Sequence, residues 1–95
     1  MKAERIFQDK ALQPDGGIIE ITIWRVPFPV PPTTHGVKYR LFYGRDGVRI
    51  VGYDNERGKG DHRHLRGHES PYLFSTVEAL IANFLSDVEK ERGES

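Results

Sequence analysis

The chain contains no cysteine. That absence excludes a disulfide framework, a thiolate zinc site and a cysteine nucleophile together. Small secreted domains commonly rely on disulfides, so a reducing, cytoplasmic compartment is the expected location. Long hydrophobic runs are missing too. No stretch approaches the roughly 18 apolar residues of a membrane span. The opening Met1-Lys2-Ala3-Glu4-Arg5-Ile6-Phe7 lacks the apolar run of a signal peptide, so no membrane partner is expected. The 95 residues fit one domain, 1–95, with a thin core.

Net charge is also zero, from 14 basic and 14 acidic residues, but the total hides a polarity. Residues 35–68 hold eight bases (Lys38, Arg40, Arg45, Arg49, Arg57, Lys59, Arg63 and Arg66) against four acids, a net of +4. Residues 69–95 hold six acids against Lys90 and Arg92, a net of −4. A basic middle suits an anionic partner, and the acidic tail offers cover for it within the chain.

Arg5 to Leu12 is weakly strand-like, and Pro14-Asp15-Gly16-Gly17 marks a turn. Ile18 to Val26, dense in β-branched residues, predicts a strand with Ile19, Ile21 and Ile23 on one face. A lone tryptophan in such a strand, Trp24, is expected in the core, and His35 in its Thr-Thr-His-Gly turn on the surface. The prolines of Pro27-Phe28-Pro29-Val30-Pro31-Pro32 forbid regular pairing, so residues 27–36 are expected to be a stiff connector. Val37 to Tyr43 and Val48 to Tyr53 predict two antiparallel strands joined at Arg45-Asp46-Gly47. Ser75-Thr76-Val77-Glu78 has the pattern of a capping box, with Ser75 as N-cap. Val77, Leu80, Ile81, Phe84, Leu85 and Val88 then form one helical apolar stripe, with Asp87 on the polar side. The expected fold is α+β: an antiparallel meander sheet of three to four strands covered by one C-terminal amphipathic helix.

Between sheet and helix lies Asp54 to Glu69, expected to be a loop. It has one aliphatic side chain, Leu65, with four acids, four bases, three glycines and three of the chain's four histidines. So long a connection in a compact domain usually has a job. Metal binding through His62, His64 and His68, with Asp61 or Glu69, is one reading. The common zinc spacings draw ligands from two separated elements, so no metal or cofactor is assigned. Gly58-Lys59-Gly60 resembles a phosphate cradle but lacks the full P-loop pattern.

Metal-independent RNA cleavage is the third reading. One group removes the 2′-hydroxyl proton and another protonates the leaving 5′-oxygen, tasks that histidine performs near neutrality. His62, His64 and His68 are the acid–base candidates; Arg57, Lys59, Arg63 and Arg66 would hold phosphate. Tyr53 and Tyr72 could stack on bases or cap the core. Asp54 and Glu56 share a face if the strand continues to residue 56, and with Asp61 they are possible carboxylates; ion pairing with the arginines is the alternative.

The run Val37-Lys38-Tyr39-Arg40-Leu41-Phe42-Tyr43-Gly44, then Val51-Gly52-Tyr53-Asp54-Asn55-Glu56-Arg57-Gly58-Lys59-Gly60-Asp61-His62-Arg63-His64, then Glu69-Ser70-Pro71-Tyr72 before a capped helix, resembles the TumE family over nearly the whole chain. These are small toxins of bacterial and archaeal toxin–antitoxin systems, often encoded beside a helix-turn-helix antitoxin. The resemblance implies a growth-inhibiting protein held inactive by such an antitoxin. RNA cleavage then follows by analogy with toxins of this size. The alternative is a non-catalytic binding or regulatory module acting with the antitoxin, and a loop that completes a homodimer is a third possibility.

Overall fold

The computed structural model describes residues 3–29, 31–56 and 58–93. Its elements are β1 (Glu4–Leu12), β2 (Ile18–Arg25), β3 (Val37–Arg45), β4 (Val48–Glu56), β5 (Gly60–Leu65), β6 (His68–Pro71) and α1 (Val77–Glu91). The strands form one antiparallel sheet in chain order, β1 to β6. The α+β class holds, but the expected three to four strands are six.

The error lies in Asp54 to Glu69. That segment is not a loop: it finishes β4, supplies all of β5 and begins β6. Strands are read from alternation of apolar and polar residues. In β5 only Leu65, at its end, is aliphatic, so the alternation carries almost no hydrophobic signal. Two turns do carry one. Asp46-Gly47 and Arg66-Gly67 have positive φ at both positions (53° and 77°; 47° and 86°). This is the hairpin geometry that matches strand twist, so β5 and β6 pair across two residues as β3 and β4 do.

Period-two alternation gives the sheet a covered and an uncovered face. Ile19, Ile21 and Ile23 of β2, Tyr39, Leu41 and Tyr43 of β3, and Val51 and Tyr53 of β4 are buried with Leu80, Phe84 and Val88 of α1. The helix begins one residue later than the capping box predicts. Thr76, not Ser75, is the N-cap, and its hydroxyl accepts the Ala79 N–H at 3.0 Å. Ala79 therefore holds the position reserved for the reciprocal carboxylate, and Glu78 instead sits in the first turn, where the helix dipole favours it. The stripe is also rotated: Asp87 is buried and Leu85 exposed.

The proline segment connects β2 to β3 and is tied to the β4–β5 turn, where Gly58 N–H donates to Pro31 O at 2.8 Å. Among the described residues no helix is long and apolar enough to cross a membrane.

Candidate functional site

Register brings the site together. Asp54 of β4 lies opposite His62 of β5, and Gly52 opposite His64. All four are on the face away from α1. The two histidines, two residues apart on one strand, therefore stand side by side, with ring centroids 4.9 Å apart. Both are buried, at 4% and 8% exposure.

Hydrogen-bond partners fix the tautomers. A carbonyl only accepts, so His62 Nδ1 carries a proton and donates to Gly60 O at 3.1 Å. Its Nε2 is in close contact with Asp54 Oδ1, an ion pair without hydrogen-bond geometry. A guanidinium only donates, so His64 Nδ1 accepts from Arg49 Nη2 at 2.9 Å. Burial, then the Arg49 charge, holds the His64 pKa below its ordinary value, which keeps this ring neutral at neutral pH. Glu69 Oε2 of β6 lies 3.8 Å from His64 Nε2 and 3.7 Å from Lys59 Nζ.

Gly52 makes the Arg49 contact possible. A Cβ at this position would fall 2.8 Å from Arg49 Cδ and 3.4 Å from its Nε, so the arginine lies across the strand where a side chain would stand. Gly52→Val should favour the strand yet push Arg49 off His64. The expected result is an unchanged or raised melting temperature, with the His64 proton resonances shifted and function reduced about tenfold or more. Two-dimensional NMR of the imidazoles reads the shift, and an unmoved His64 would show that Gly52 plays no such part.

Asp54, His62 and His64 each offer a ligand atom within 4.8 Å of the others, so they could hold a divalent ion. The His62 Nδ1–H bond to a carbonyl is the arrangement common for metal-bound histidine. Asp54 Oδ1, buried without a hydrogen bond beyond its His62 contact, fits that role too. Arg49 opposes it, since its guanidinium already brings a positive charge to the same cluster.

The residue pattern seen here has a counterpart in known proteins. The model of the toxin TumE family matches residues 1–92. The chain belongs to the TumE toxin family. It is thus the toxin component of a toxin–antitoxin system, with an antitoxin as its counterpart. Comparison with curated proteins and with solved structures gives no match.

Within this TumE-family fold the sequence-derived candidates divide between the two faces. His62, His64 and Asp54 come together. His68 does not join them: it is exposed on β6, and alternation turns it to the opposite side. Glu56 ends β4, exposed, on the Asp54 side. Asp61 faces the helix side, where its carboxylate accepts from Tyr39 Oη at 2.6 Å and His35 Nε2 at 2.9 Å. Tyr53 is in the core, its hydroxyl donating to Asp87 Oδ2 at 2.5 Å, so it is turned away from the histidine pair. Arg63 pairs with the same Asp87 oxygen at 2.8 Å, and Arg66 pairs with Glu91. Lys59 is near the group through Glu69. Arg57 lies outside the described residues.

The expected surface position of His35 is corrected by its 4.1 Å stack on Phe74 and its Asp61 bond. Arg49 is the participant that the sequence reading missed. A two-residue hairpin followed by Gly52 was the available signal for it. Trp24, expected in the core, instead lines an uncovered groove with Thr22, Lys38, Arg40, Asp54 and Glu56.

The helix thus neutralises Arg63 and Arg66 on its own side. Lys38, Arg40 and Arg49 remain on the other, beside the Asp54–His62–His64 group. The acidic segment serves both faces: Asp87 and Glu91 meet Arg63 and Arg66 on the covered one, and Glu69 meets Lys59 on the other.

Proposed function

We propose that this toxin arrests growth by cleaving RNA on the uncovered face of the sheet, with Asp54, His62 and His64 as its acid–base group. The observation that carries this reading is the joining of Asp54 and the two buried histidines, from adjacent strands, to Arg49 on the uncovered face. The partner antitoxin is read, from the resemblance, as a helix-turn-helix protein.

The chemistry follows from the proton positions. A phosphodiester draws the Arg49 guanidinium off His64, because a bidentate Arg–phosphate pair outcompetes a single bond to a neutral ring. The Nδ1 lone pair is then available. It takes the 2′-hydroxyl proton as the 2′-oxygen attacks phosphorus. The P–O5′ bond breaks, and the proton shared by Asp54 and His62 goes to the leaving 5′-oxygen. Arg49, with Lys38 and Arg40 nearby, stabilises charge building on phosphorus. The products are a 2′,3′-cyclic phosphate and a 5′-hydroxyl end, and no metal takes part.

Purified toxin incubated with cellular RNA tests this directly. Cleavage should persist in EDTA, yield cyclic-phosphate and 5′-hydroxyl ends, and vanish on RNA 2′-O-methylated at the cut site. Cleavage abolished by EDTA, with 5′-phosphate ends, would assign the three residues to a metal instead. RNA left intact in both conditions would favour a toxin that only binds its target.

A further inference from the structure

We infer that the groove bordered by Trp24 and Asp54 is a nucleobase subsite that reads the nucleotide next to the scissile phosphate, with the Trp24 indole as its stacking platform. This inference rests on the RNA-cleaving reading of the adjacent site. The groove crosses β2, β3 and β4 on the uncovered face and encloses about 360 Å³. That is near the lower end of the roughly 300–1,000 Å³ typical of small-molecule pockets, suited to a single nucleoside. Thr22 and Trp24 stand on its β2 side, Asp54 and Glu56 on its β4 side, and Lys38 and Arg40 of β3 lie between them.

Chemistry distinguishes this groove from an ordinary sheet surface. Trp24 is the chain's one tryptophan and is half-buried here, although a strand tryptophan is ordinarily taken into the core. Arg5, opposite it on β1, sets its guanidinium 5.8 Å from the ring centroid, so a cation already borders the platform. Two strand spacings, roughly 10 Å, separate β2 from β4. A base stacked on Trp24 thus leaves the phosphate of a neighbouring nucleotide beside Asp54 and His62. Lys38 and Arg40 line the path the backbone would take between those positions.

Selectivity comes from Glu56. Its carboxylate accepts and does not donate, and it lines the groove without an ion-pair partner among the described residues. The Asn55 side chain is occupied: Oδ1 accepts the Tyr39 N–H at 3.1 Å and Nδ2 donates to Val37 O at 2.7 Å. The base edge that best satisfies Glu56 donates twice, as guanine does through N1–H and N2–H. Uracil, with one N–H and two carbonyls, suits it least.

Because Trp24 is the chain's one tryptophan, its fluorescence reports this groove. The test titrates full-length toxin with 2′-O-methyl pentanucleotides, UUGUU and UUUUU, which separate binding from cleavage. UUGUU should quench the emission and bind about tenfold or more tightly than UUUUU, with Glu56→Gln narrowing that ratio. On cleavable RNA, Trp24→Ala should raise KM roughly ten- to hundredfold with a smaller change in kcat, and Trp24→Phe should recover most of the loss. Cleavage that proceeds with unchanged KM and base preference in both Trp24 variants overturns the subsite and leaves the ribonuclease reading standing. Base-selective quenching without cleavage of any RNA overturns the ribonuclease reading and retains the subsite. Equal quenching by the two pentanucleotides overturns the guanine assignment.

Discussion

His62→Ala should abolish growth arrest and lower RNA cleavage by about 10²- to 10⁴-fold, the range that a positioned proton donor contributes. The size follows from where the proton lies. In the proposed mechanism it sits between His62 Nε2 and Asp54, and the Nδ1 bond to Gly60 O holds the ring in that place. Removing a buried ring also leaves the Gly60 carbonyl without this donor, which costs stability of about 1–3 kcal/mol. Asp54→Asn separates the two effects. The amide is nearly isosteric and keeps the neighbourhood filled, but it cannot share the proton. It should match the activity loss of His62→Ala while melting close to the parent. Because both residues hold one proton, the double variant should be hardly worse than either single change. Multiplied losses in the double variant, or growth arrest by His62→Ala at equal folded protein, would remove the pair from the mechanism.

Much of this architecture is legible in the residues. Ile19, Ile21 and Ile23 announce a strand and its buried face because they alternate. Asp46-Gly47 announces the β3–β4 hairpin because a two-residue turn needs positive φ. The limit appears where hydrophobicity stops being the marker of a face. In β5, Asp61 and Arg63 point toward the helix with only Leu65 beside them at the strand's end, and His62 and His64 point away, so the period is all but invisible. The covered-face residues are nevertheless satisfied, Asp61 by Tyr39 and His35, Arg63 by Asp87. Those partners come from residues 26, 22 and 24 positions away in sequence, beyond any local pattern. The same limit hid the site. His62 and His64 stood out by type and spacing. Their partners Asp54 and Arg49 depend on the β4–β5 register and on the space above Gly52. His68 looked equivalent to the other two histidines, yet the Arg66-Gly67 turn intervenes and sends it to the other face.

Asp87 carries the second large effect. Leu80, Phe84, Asp87 and Val88 follow at i, i+4, i+7 and i+8, so the carboxylate occupies an apolar slot of the helix. It is 7% exposed and accepts from Tyr53 Oη at 2.5 Å and from Arg63 Nε at 2.8 Å. Burial, then the bond to Asp87, raises the Tyr53 pKa, so the phenol remains a donor. Asp87→Ala would strand that buried hydroxyl and release Arg63 toward solvent. A buried unsatisfied donor costs about 1–3 kcal/mol, and breaking a buried ion pair about 3–5. Arg63 is one-third exposed and regains water, which places the expected loss near the lower values, about 2–3 kcal/mol. At roughly 4–8 °C per kcal/mol for a domain of this size, melting should fall by about 10–20 °C. Asp87→Asn keeps an acceptor and should lose about half as much. Since Tyr53 neighbours Asp54 on β4 but faces the opposite way, cleavage per folded molecule at low temperature should be nearly unchanged. Thermal unfolding and a low-temperature RNA assay on the same preparations measure both quantities. A parental melting temperature in Asp87→Ala would show that the Tyr53–Asp87–Arg63 contact does not hold helix to sheet, and a stable but inactive variant would place Asp87 in the function itself.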